Sequence, residues 1–236
     1  QGTMGIVTWM SLKIQSIPKI DKIKFAALDD INDGINFLYR ILPRRIGQEC
    51  LILNDTDLAA LITDTKEEFE AVKKTLPPYT LMFTISGLIR RPEEKIAYEE
   101  HFLADVCKNE FTKIKLTDAL PDHPGAAGKL IKILRSAWPE ASNYWKNIPA
   151  GAYQDLFFIT KPEKTKRFID AMKDICGKHS YEFDKLGIYQ QPIEHNRACQ
   201  LQFSFFYDPA DAAAVEEVKA IYDAAFEKML ELGGYF

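Results

Sequence analysis

A short stretch, residues 192–196, brings a carboxylate, an imidazole and an amide together in three consecutive positions, Glu194, His195 and Asn196. An imidazole in a cleft can donate a hydrogen bond to a ligand or move a proton near neutral pH. The stretch lies between two predicted strands, so His195 can equally be a hairpin residue that bonds only to the backbone. The motif by itself leaves both interpretations open.

The segment that follows, residues 197–207, alternates strictly between two kinds of side chain. This period of two predicts a β-strand with one face in a core. The core face holds Cys199, Leu201, Phe203, Phe205 and Tyr207. The other face holds uncharged amide and hydroxyl groups, at Gln200, Gln202 and Ser204. That face suits a polar organic ligand, although a solvated sheet face has the same composition.

Three further residues carry side chains that can contact a ligand. Tyr153 and Asp155 enter the predicted strand at residues 153–160, and Tyr235 follows the paired glycines 233 and 234. A tyrosine in that position can pack or can donate a hydrogen bond to a ligand, and the sequence favours neither. No two histidines stand at metal-ligand spacing with a carboxylate, so we expect no metal site.

The composition argues against several classes of function. The chain has 236 residues and a net charge of −4 without any basic stripe, so we expect no nucleic-acid partner. Its four cysteines lie far apart, which argues against a zinc site, and their scarcity favours a reducing, cytoplasmic location. No apolar run approaches about 18 residues, so we expect no membrane span.

Strands and helices follow one another along the chain with few long gaps. Hydrophobic periodicity and turn residues predict strands at residues 6–17, 22–28, 49–54, 79–88, 111–116, 153–160, 185–193 and 197–207. Helices are predicted from a cap at Asp29 or Asp30 up to Pro43, at 55–64, 66–76, 92–108, 125–137 and 162–176, and from an N-cap at Asp208 to the paired glycines.

The order of these elements repeats once. Residues 19–118 and 151–236 each read as strand, helix, strand or strands, helix, strand, and the irregular segment 119–150 connects them. This order predicts split β-α-β units that form an antiparallel sheet in an α+β fold. The helices are expected to pack on one face of that sheet.

Several segments, in this order, also resemble one known family. They are GTMGIVTWMSLKIQSIP, LPRRIGQECLILND, NIPAGAYQDLFFITKP, the region around His195 with the helix after it, and GGYF. Together they resemble the C-terminal cap domain of FAD-linked oxidases of the vanillyl-alcohol oxidase and p-cresol methylhydroxylase family. The resemblance covers essentially the whole chain and implies a duplicated ferredoxin-like sheet that covers a flavin ring.

The resemblance also implies a domain organisation and an activity. Residues 1–18 would be the end of a missing FAD-binding domain of the same parent chain, and residues 19–236 the cap. The parent would oxidise a small organic substrate, such as an aryl alcohol, a phenol-like compound or a hydroxy acid, by hydride transfer to flavin. We expect this chain alone to be inactive, and a homo-oligomer is possible.

Individual residues take roles from the same resemblance. Tyr235 matches a substrate-binding tyrosine, whereas Phe236 stands where phenol-oxidising members have an arginine, which puts a phenolic substrate in doubt. His195 matches a residue at the reactive edge of the flavin, so we predict that it is catalytic and contacts the cofactor. The other predicted substrate-binding residues are Asn196, Gln190 and Gln191.

The link between protein and FAD is also implied at residue level. Asp155 stands where one branch of the family has a histidine bonded covalently to FAD, so we predict a cofactor-binding role and non-covalent FAD. Tyr153 lies close by, and a tyrosyl link of the kind found in another branch stays open.

A different class of function is compatible with the element order alone. Ferredoxin-like units occur in many unrelated proteins, so the chain could be a free-standing ligand-binding or dimerisation module. The two hypotheses differ in whether a flavin-binding domain belongs to the same protein.

Overall fold

The computed structural model describes residues 6–12, 14, 16–137 and 143–236. In these residues six strands occur: β1 (Ile20–Leu28), β2 (Cys50–Asn54), β3 (Tyr79–Gly87), β4 (Ala152–Thr160), β5 (Gly187–Ile193) and β6 (Ala198–Tyr207). The same residues contain seven α-helices: α1 (Ile31–Ile41), α2 (Asp55–Ile62), α3 (Lys66–Lys73), α4 (Pro92–Asn109), α5 (Ala126–Arg135), α6 (Thr165–Lys178) and α7 (Ala212–Glu231). None of these helices combines the length and the apolar character that crossing a bilayer requires.

All six strands belong to one antiparallel sheet in the order β1-β3-β2-β5-β6-β4. The first half contributes β1-β3-β2 and the second half contributes the mirror order β5-β6-β4. The halves join where Ile52 and Leu53 of β2 pair with β5. Beyond each outer strand a single bridge extends the sheet, Phe25 with Thr117 and Ile159 with Tyr235. The predicted α+β fold with duplicated ferredoxin-like halves is confirmed.

Helices α1, α4, α6 and α7 pack on one face of the sheet, where they bury the larger hydrophobic core. Helix α1 begins where the Asp30 carboxylate accepts a bond from the Asn32 amide at 2.9 Å, and its apolar stripe turns inward. The other face of the first half is covered by α2, α3 and α5 over a second core. The prediction of helices on one face therefore holds for the four helices of the repeated units.

Two predicted strands are wrong. The described residues between 6 and 17 form no strand, and their apolar side chains are exposed, Trp9 by 82%. Residues 1–5, 13 and 15, which complete this segment of the resemblance, lie outside the described residues, as do residues 138–142 of the connection. At 111–116 no strand forms, because Phe111 packs edge-on against Phe37 at 5.5 Å and Ile114 enters the core.

Helix boundaries in the second half differ from the prediction in two places. Helix α7 begins at Ala212, because the Asp211 carboxylate accepts bonds from the amides of Ala213 and Ala214. Asp208, the predicted cap, instead accepts a bond from the Ala210 amide at 2.8 Å within the preceding turn. Helix α6 begins at Thr165 after a short 3-10 turn and continues through Gly177 to Lys178, two residues beyond the predicted end at residue 176.

Arg135 fastens the end of α5 to the sheet. Its guanidinium contacts Asp21 at 2.6 Å and Glu49 at 2.8 Å. The bond from Arg135 holds the pKa of Asp21 below its ordinary value. At Glu49 burial acts in the opposite direction, but the bonds from Arg135 and Thr84 outweigh it, so this pKa is lowered as well. Both carboxylates are therefore more stable as ions in the folded chain.

We expect Arg135→Gln to lower the free energy of unfolding by about 1–2 kcal/mol at pH 7, since two charge-assisted contacts are lost. Because the two carboxyl pKa values are lowered by folding, this contribution is present above about pH 4.5 and disappears as the pH falls through their folded values. Urea unfolding at pH 7 and pH 3 measures both. The matched change Arg40→Gln, at the more exposed pair with Glu110, should cost less.

Candidate functional site

The second half of the sheet has a surface that remains accessible, which we call the open face. Residues directly opposite each other in antiparallel strands place their side chains on the same side, so the strand register defines its rows. One row crosses the sheet through Tyr235, Ile159, Gln200 and Gln191. The next row holds Phe157, Gln202 and Tyr189.

The open face combines apolar surface with amide groups. Phe157 is 56% exposed and Ile159 is 42% exposed, although both are apolar residues of strand β4. The Tyr189 hydroxyl donates to Gln191 Oε1 at 2.8 Å, so two of the polar side chains are already oriented. An apolar patch bordered by hydrogen-bonding groups is the usual character of a surface that binds an organic ligand.

At its covered end the open face meets a buried charged group of side chains, the Lys146 cluster, formed by Lys146, Asp155, Ser204 and Asp57. Lys146 Nζ donates to Asp155 Oδ2 at 2.6 Å and to Ser204 Oγ at 3.3 Å. Ser204 Oγ donates to Asp155 Oδ1 at 2.8 Å. The ammonium also lies 5.2 Å from the ring centroids of both Trp145 and Tyr153. Cation–π contacts of this kind stabilise a buried cation.

Asp57 is the most unusual member of the cluster. It is completely buried in the first turn of α2, and neither carboxyl oxygen has a hydrogen-bond partner among the described residues. Its carboxyl rests against Gly187 of β5, which leaves room because it has no side chain. Burial raises the pKa of Asp57 to about 7, Lys146 opposes this rise, and Asp155 and Asp55 add to it. Asp57 can therefore change its charge near neutral pH.

The structure brings four of the predicted site residues to the open face. Tyr235 and Gln191 stand at opposite ends of one row, and Asp155 lies in the Lys146 cluster beside the row of Phe157. Tyr153 shares the face of Asp155, and its ring lies 5.7 Å from that of Tyr144. The roles that we predicted for these residues remain predictions.

Three predicted residues lie elsewhere. Gln190 is fully buried on the side of the sheet that faces the helices, in line with Ile188. His195 is exposed in the turn between β5 and β6, where residues 194–196 all have positive φ. Asn196 is buried, and its amide donates to the Ile35 carbonyl at 3.3 Å. This turn and the Lys146 cluster lie toward opposite ends of β6.

The sequence analysis did not identify Lys146 or Asp57 as site residues. Lys146 lies in an irregular segment with no periodic pattern, and it is buried by its contact with a strand that begins six residues later. Asp57 is a carboxylate inside a helix that is otherwise almost wholly buried. A charged residue in so apolar a context was the one available signal, because such a residue requires a partner or a shifted pKa.

A separate cleft exists away from the open face. It has a volume of about 530 Å³ and lies between α3, the loop before β5 and α7. Two of its lysines are already bound locally, since Lys185 contacts Glu182 at 2.8 Å and Lys73 donates to the Asp184 carbonyl. None of the seven residues predicted from the sequence lines this cleft. We therefore take the open face as the candidate site.

No protein-family model and no curated protein matches the sequence. Solved structures do match the fold. p-Cresol methylhydroxylase with substrate bound is 13% identical with a TM-score of 0.69, and 4-ethylphenol oxidase from Gulosibacter chungangensis, in its isoeugenol complex, is 15% identical with a TM-score of 0.65. Alkyldihydroxyacetonephosphate synthase is 9% identical with a TM-score of 0.55.

These matches cover 92%, 92% and 93% of this chain, but 44%, 45% and 40% of the respective structures. The chain thus spans less than half the length of the proteins that it resembles. The matched region is their C-terminal part, so the predicted resemblance to the cap of vanillyl-alcohol oxidase and p-cresol methylhydroxylase flavoproteins is confirmed for the fold. At these identities the likeness extends to the fold alone.

Proposed function

We propose that this chain is the substrate-binding cap of an FAD-dependent oxidoreductase. The proposed reaction is oxidation of a small organic substrate, an aryl alcohol, a phenol-like compound or a hydroxy acid, by hydride transfer to flavin. The observation that carries the proposal is the open face, an apolar and amide-lined surface on a sheet whose fold matches enzymes that act on substituted phenols. Its proposed partners are the substrate and an FAD-binding domain of the same protein.

The side chains of the open face fit a flat ring better than they fit the rest of FAD. Phe157 and Ile159 offer apolar contact, and Gln200 and Gln202 offer amide groups beside it. The face as defined contains no cation for a diphosphate, which supports the expectation that another domain holds that group. When bound, the flavin supplies the hydride acceptor. Asp155 is occupied by Lys146, which favours non-covalent binding.

We assign the substrate side to the row that contains Tyr235 and Gln191. Tyr235 is 74% exposed, and its backbone is held to Ile159 by two hydrogen bonds of 2.8 and 2.9 Å. Phe236, by contrast, packs against Phe158 and Phe226 on the helix side of the sheet. That position therefore offers no charge to an anionic substrate. His195 remains the candidate for moving a proton, from the turn beyond this row.

The test is made on the protein at its natural length. We expect it to carry flavin, and its visible band to bleach when one compound from a panel of aryl alcohols, phenols and 2-hydroxy acids is added without oxygen. Tyr235→Phe should weaken the affinity for that compound about 5–10-fold, because one hydrogen bond is lost. His195→Ala should slow bleaching by about 10²-fold or more if His195 moves the proton.

The matched control is Tyr98→Phe, at an exposed tyrosine of α4, which should change neither quantity. A protein without flavin at its natural length would contradict the proposal and favour a free-standing binding module. A bleaching rate that is unchanged by His195→Ala would show that His195 does not belong to the site. The effect of Tyr235→Phe on affinity tests the open face separately.

A further inference from the structure

The Lys146 cluster is arranged around a buried cation. Only 4% of the Lys146 side chain is exposed, so its charge has lost nearly all contact with water. Burying an ammonium is costly unless close partners replace the water. Here Asp155, Ser204 and two aromatic rings take that place at the distances given above. Because its charge is already paired with these groups, Lys146 cannot act as a free cation for a ligand.

Asp155 is the member of the cluster that reaches the open face. Its side chain is 23% exposed, whereas that of Lys146 is 4% exposed. One carboxylate oxygen accepts a hydrogen bond from the Lys146 ammonium, and the other accepts one from the Ser204 hydroxyl. Ser204 Oγ also accepts from Gln202 Nε2 at 3.3 Å, and Gln202 belongs to the open face. A carboxylate has about four acceptor positions, so about two stay available.

We propose that Lys146 is a positioning residue, which holds the Asp155 carboxylate at the edge of the open face as a hydrogen-bond acceptor for an uncharged ligand. The group recognised would be a hydroxyl or an N–H of that ligand, and an anionic ligand would be repelled. The inference therefore narrows the proposed substrates to their uncharged members, the aryl alcohols and phenol-like compounds. This inference rests on the proposed function in one respect, since it takes the open face as the surface that meets the ligand. The charge of the buried Asp57 changes how strongly Lys146 holds Asp155.

Asp57 competes with Asp155 for the charge of Lys146. The groups that interact electrostatically with its carboxyl are Lys146, Asp155, Asp55, Tyr189 and Tyr144. When Asp57 is protonated, one carboxylate and one ammonium balance each other. When Asp57 is ionised, two carboxylates share one ammonium in a site that is shielded from water. The hold of Lys146 on Asp155 should therefore weaken as Asp57 ionises near pH 7.

The first test is an NMR titration of carboxyl-labelled aspartate in this chain. The Asp57 signal should titrate near pH 7 in the wild type. Lys146→Met should raise the midpoint by about one pH unit or more, because an opposite charge disappears, and Asp155→Asn should lower it, because a like charge disappears. Lys146→Arg should stay close to the wild type, and so should Lys219→Met, at an exposed lysine of α7.

The second test uses benzyl alcohol and benzoate as probes, followed by the amide signals of Gln191 and Gln202. Benzyl alcohol should perturb these signals and benzoate should not. Lys146→Met should weaken benzyl alcohol binding about 10-fold and Lys146→Arg less than about 3-fold. If Lys146→Met does not fold, Ser204→Ala replaces it, since it removes the second holder of Asp155 without removing a charge, and about 3-fold weaker binding is expected.

An Asp57 midpoint that does not respond to Lys146→Met would overturn the inference. Benzyl alcohol binding that is as tight in Lys146→Met, or in the substitute Ser204→Ala, as in the wild type would overturn it as well. Both measurements need only this chain. They can therefore succeed when the natural-length protein proves to lack flavin, in which case the proposed oxidoreductase fails and the positioning role of Lys146 stands.

Discussion

Replacing Gly187 by alanine should lower the free energy of unfolding by roughly 3 kcal/mol, the upper part of the range for an overpacked core. A methyl group at this position would lie 2.7 Å from the Asp57 Cγ and 3.0 Å from the Ser204 Cβ. Both neighbours are completely buried, so neither can move into solvent. Either the first turn of α2 or strand β5 would have to shift, at the place where the two halves of the sheet join.

The cause of that loss can be isolated with a second substitution. Asp57→Ala removes the carboxyl that meets the new methyl group, so the double variant Asp57→Ala, Gly187→Ala should be more stable than the sum of the two single effects predicts. Urea unfolding of the wild type and the three variants gives the coupling. Gly177→Ala in α6 is the matched control, because nothing lies within 4 Å of its added methyl group and helix propensity should make it stabilising. Strict additivity would refute the proposed clash.

This clash matters for the candidate site because Gly187 connects three parts of the molecule. It pairs with Ser204 of β6, which holds Asp155, and it touches Asp57 of α2. Asn54, next to α2, donates to the Leu186 carbonyl just before β5 and accepts from the Ile188 amide within β5. A disturbance at Gly187 should therefore reach both the join between the halves and the Lys146 cluster.

The parts of the fold that were predicted correctly are those whose structure is determined by the pattern of neighbouring residues. The alternation at residues 197–207 predicted β6 and both of its faces, because a sheet that buries one side requires every second residue to be apolar. Phe203 and Phe205 are fully buried, and Gln200 and Gln202 stay partly exposed on the open face. The repeated order of elements likewise predicted the two halves without any repeat of residues.

The errors arose where two outcomes differ little in free energy. Residues 111–116 have a strand-like composition, but the packing of Phe111 on Phe37 competes with extension of the sheet edge. Asp208 has the side chain of an N-cap, yet Asp211 caps the helix. Capping and edge pairing each involve small differences in free energy. A tertiary contact decided the outcome at residues 111–116, and a local turn at Asp208 decided where α7 begins.

Only some residues of the candidate open face were named from the sequence, and their roles remain predictions. Asp155, Tyr153, Gln191 and Tyr235 were proposed from the resemblance, and the sheet register places them on one face. The Lys146 cluster assembles from α2, from the turn before β4 and from two strands, so no spacing in the sequence could indicate it. Gln190, in contrast, could have been excluded from the sequence alone. Adjacent residues of a strand point to opposite faces, so only one of the two glutamines 190 and 191 could reach the open face.

Asp57→Asn should remove much of the pH dependence of the chain's stability between pH 5 and pH 8. In the folded chain the pKa of Asp57 is about 7, against an ordinary value of 3.8, because burial disfavours the charged form. Below about pH 4 the group is protonated in both the folded and the unfolded chain. Between about pH 4 and pH 7 only the folded chain keeps the proton on Asp57. Unfolding therefore releases a proton, and rising pH lowers the free energy of unfolding.

The full difference is on the order of 4 kcal/mol, of which about 2–3 kcal/mol falls between pH 5 and pH 8. Urea unfolding at pH 5, 6, 7 and 8 should therefore show the wild type losing stability relative to Asp57→Asn over this interval and no further above it. Asp223→Asn, at an exposed aspartate of α7, should follow the wild type. Parallel curves for Asp57→Asn and the wild type would mean that Asp57 is ionised throughout, and that Lys146 balances two carboxylates even at pH 5.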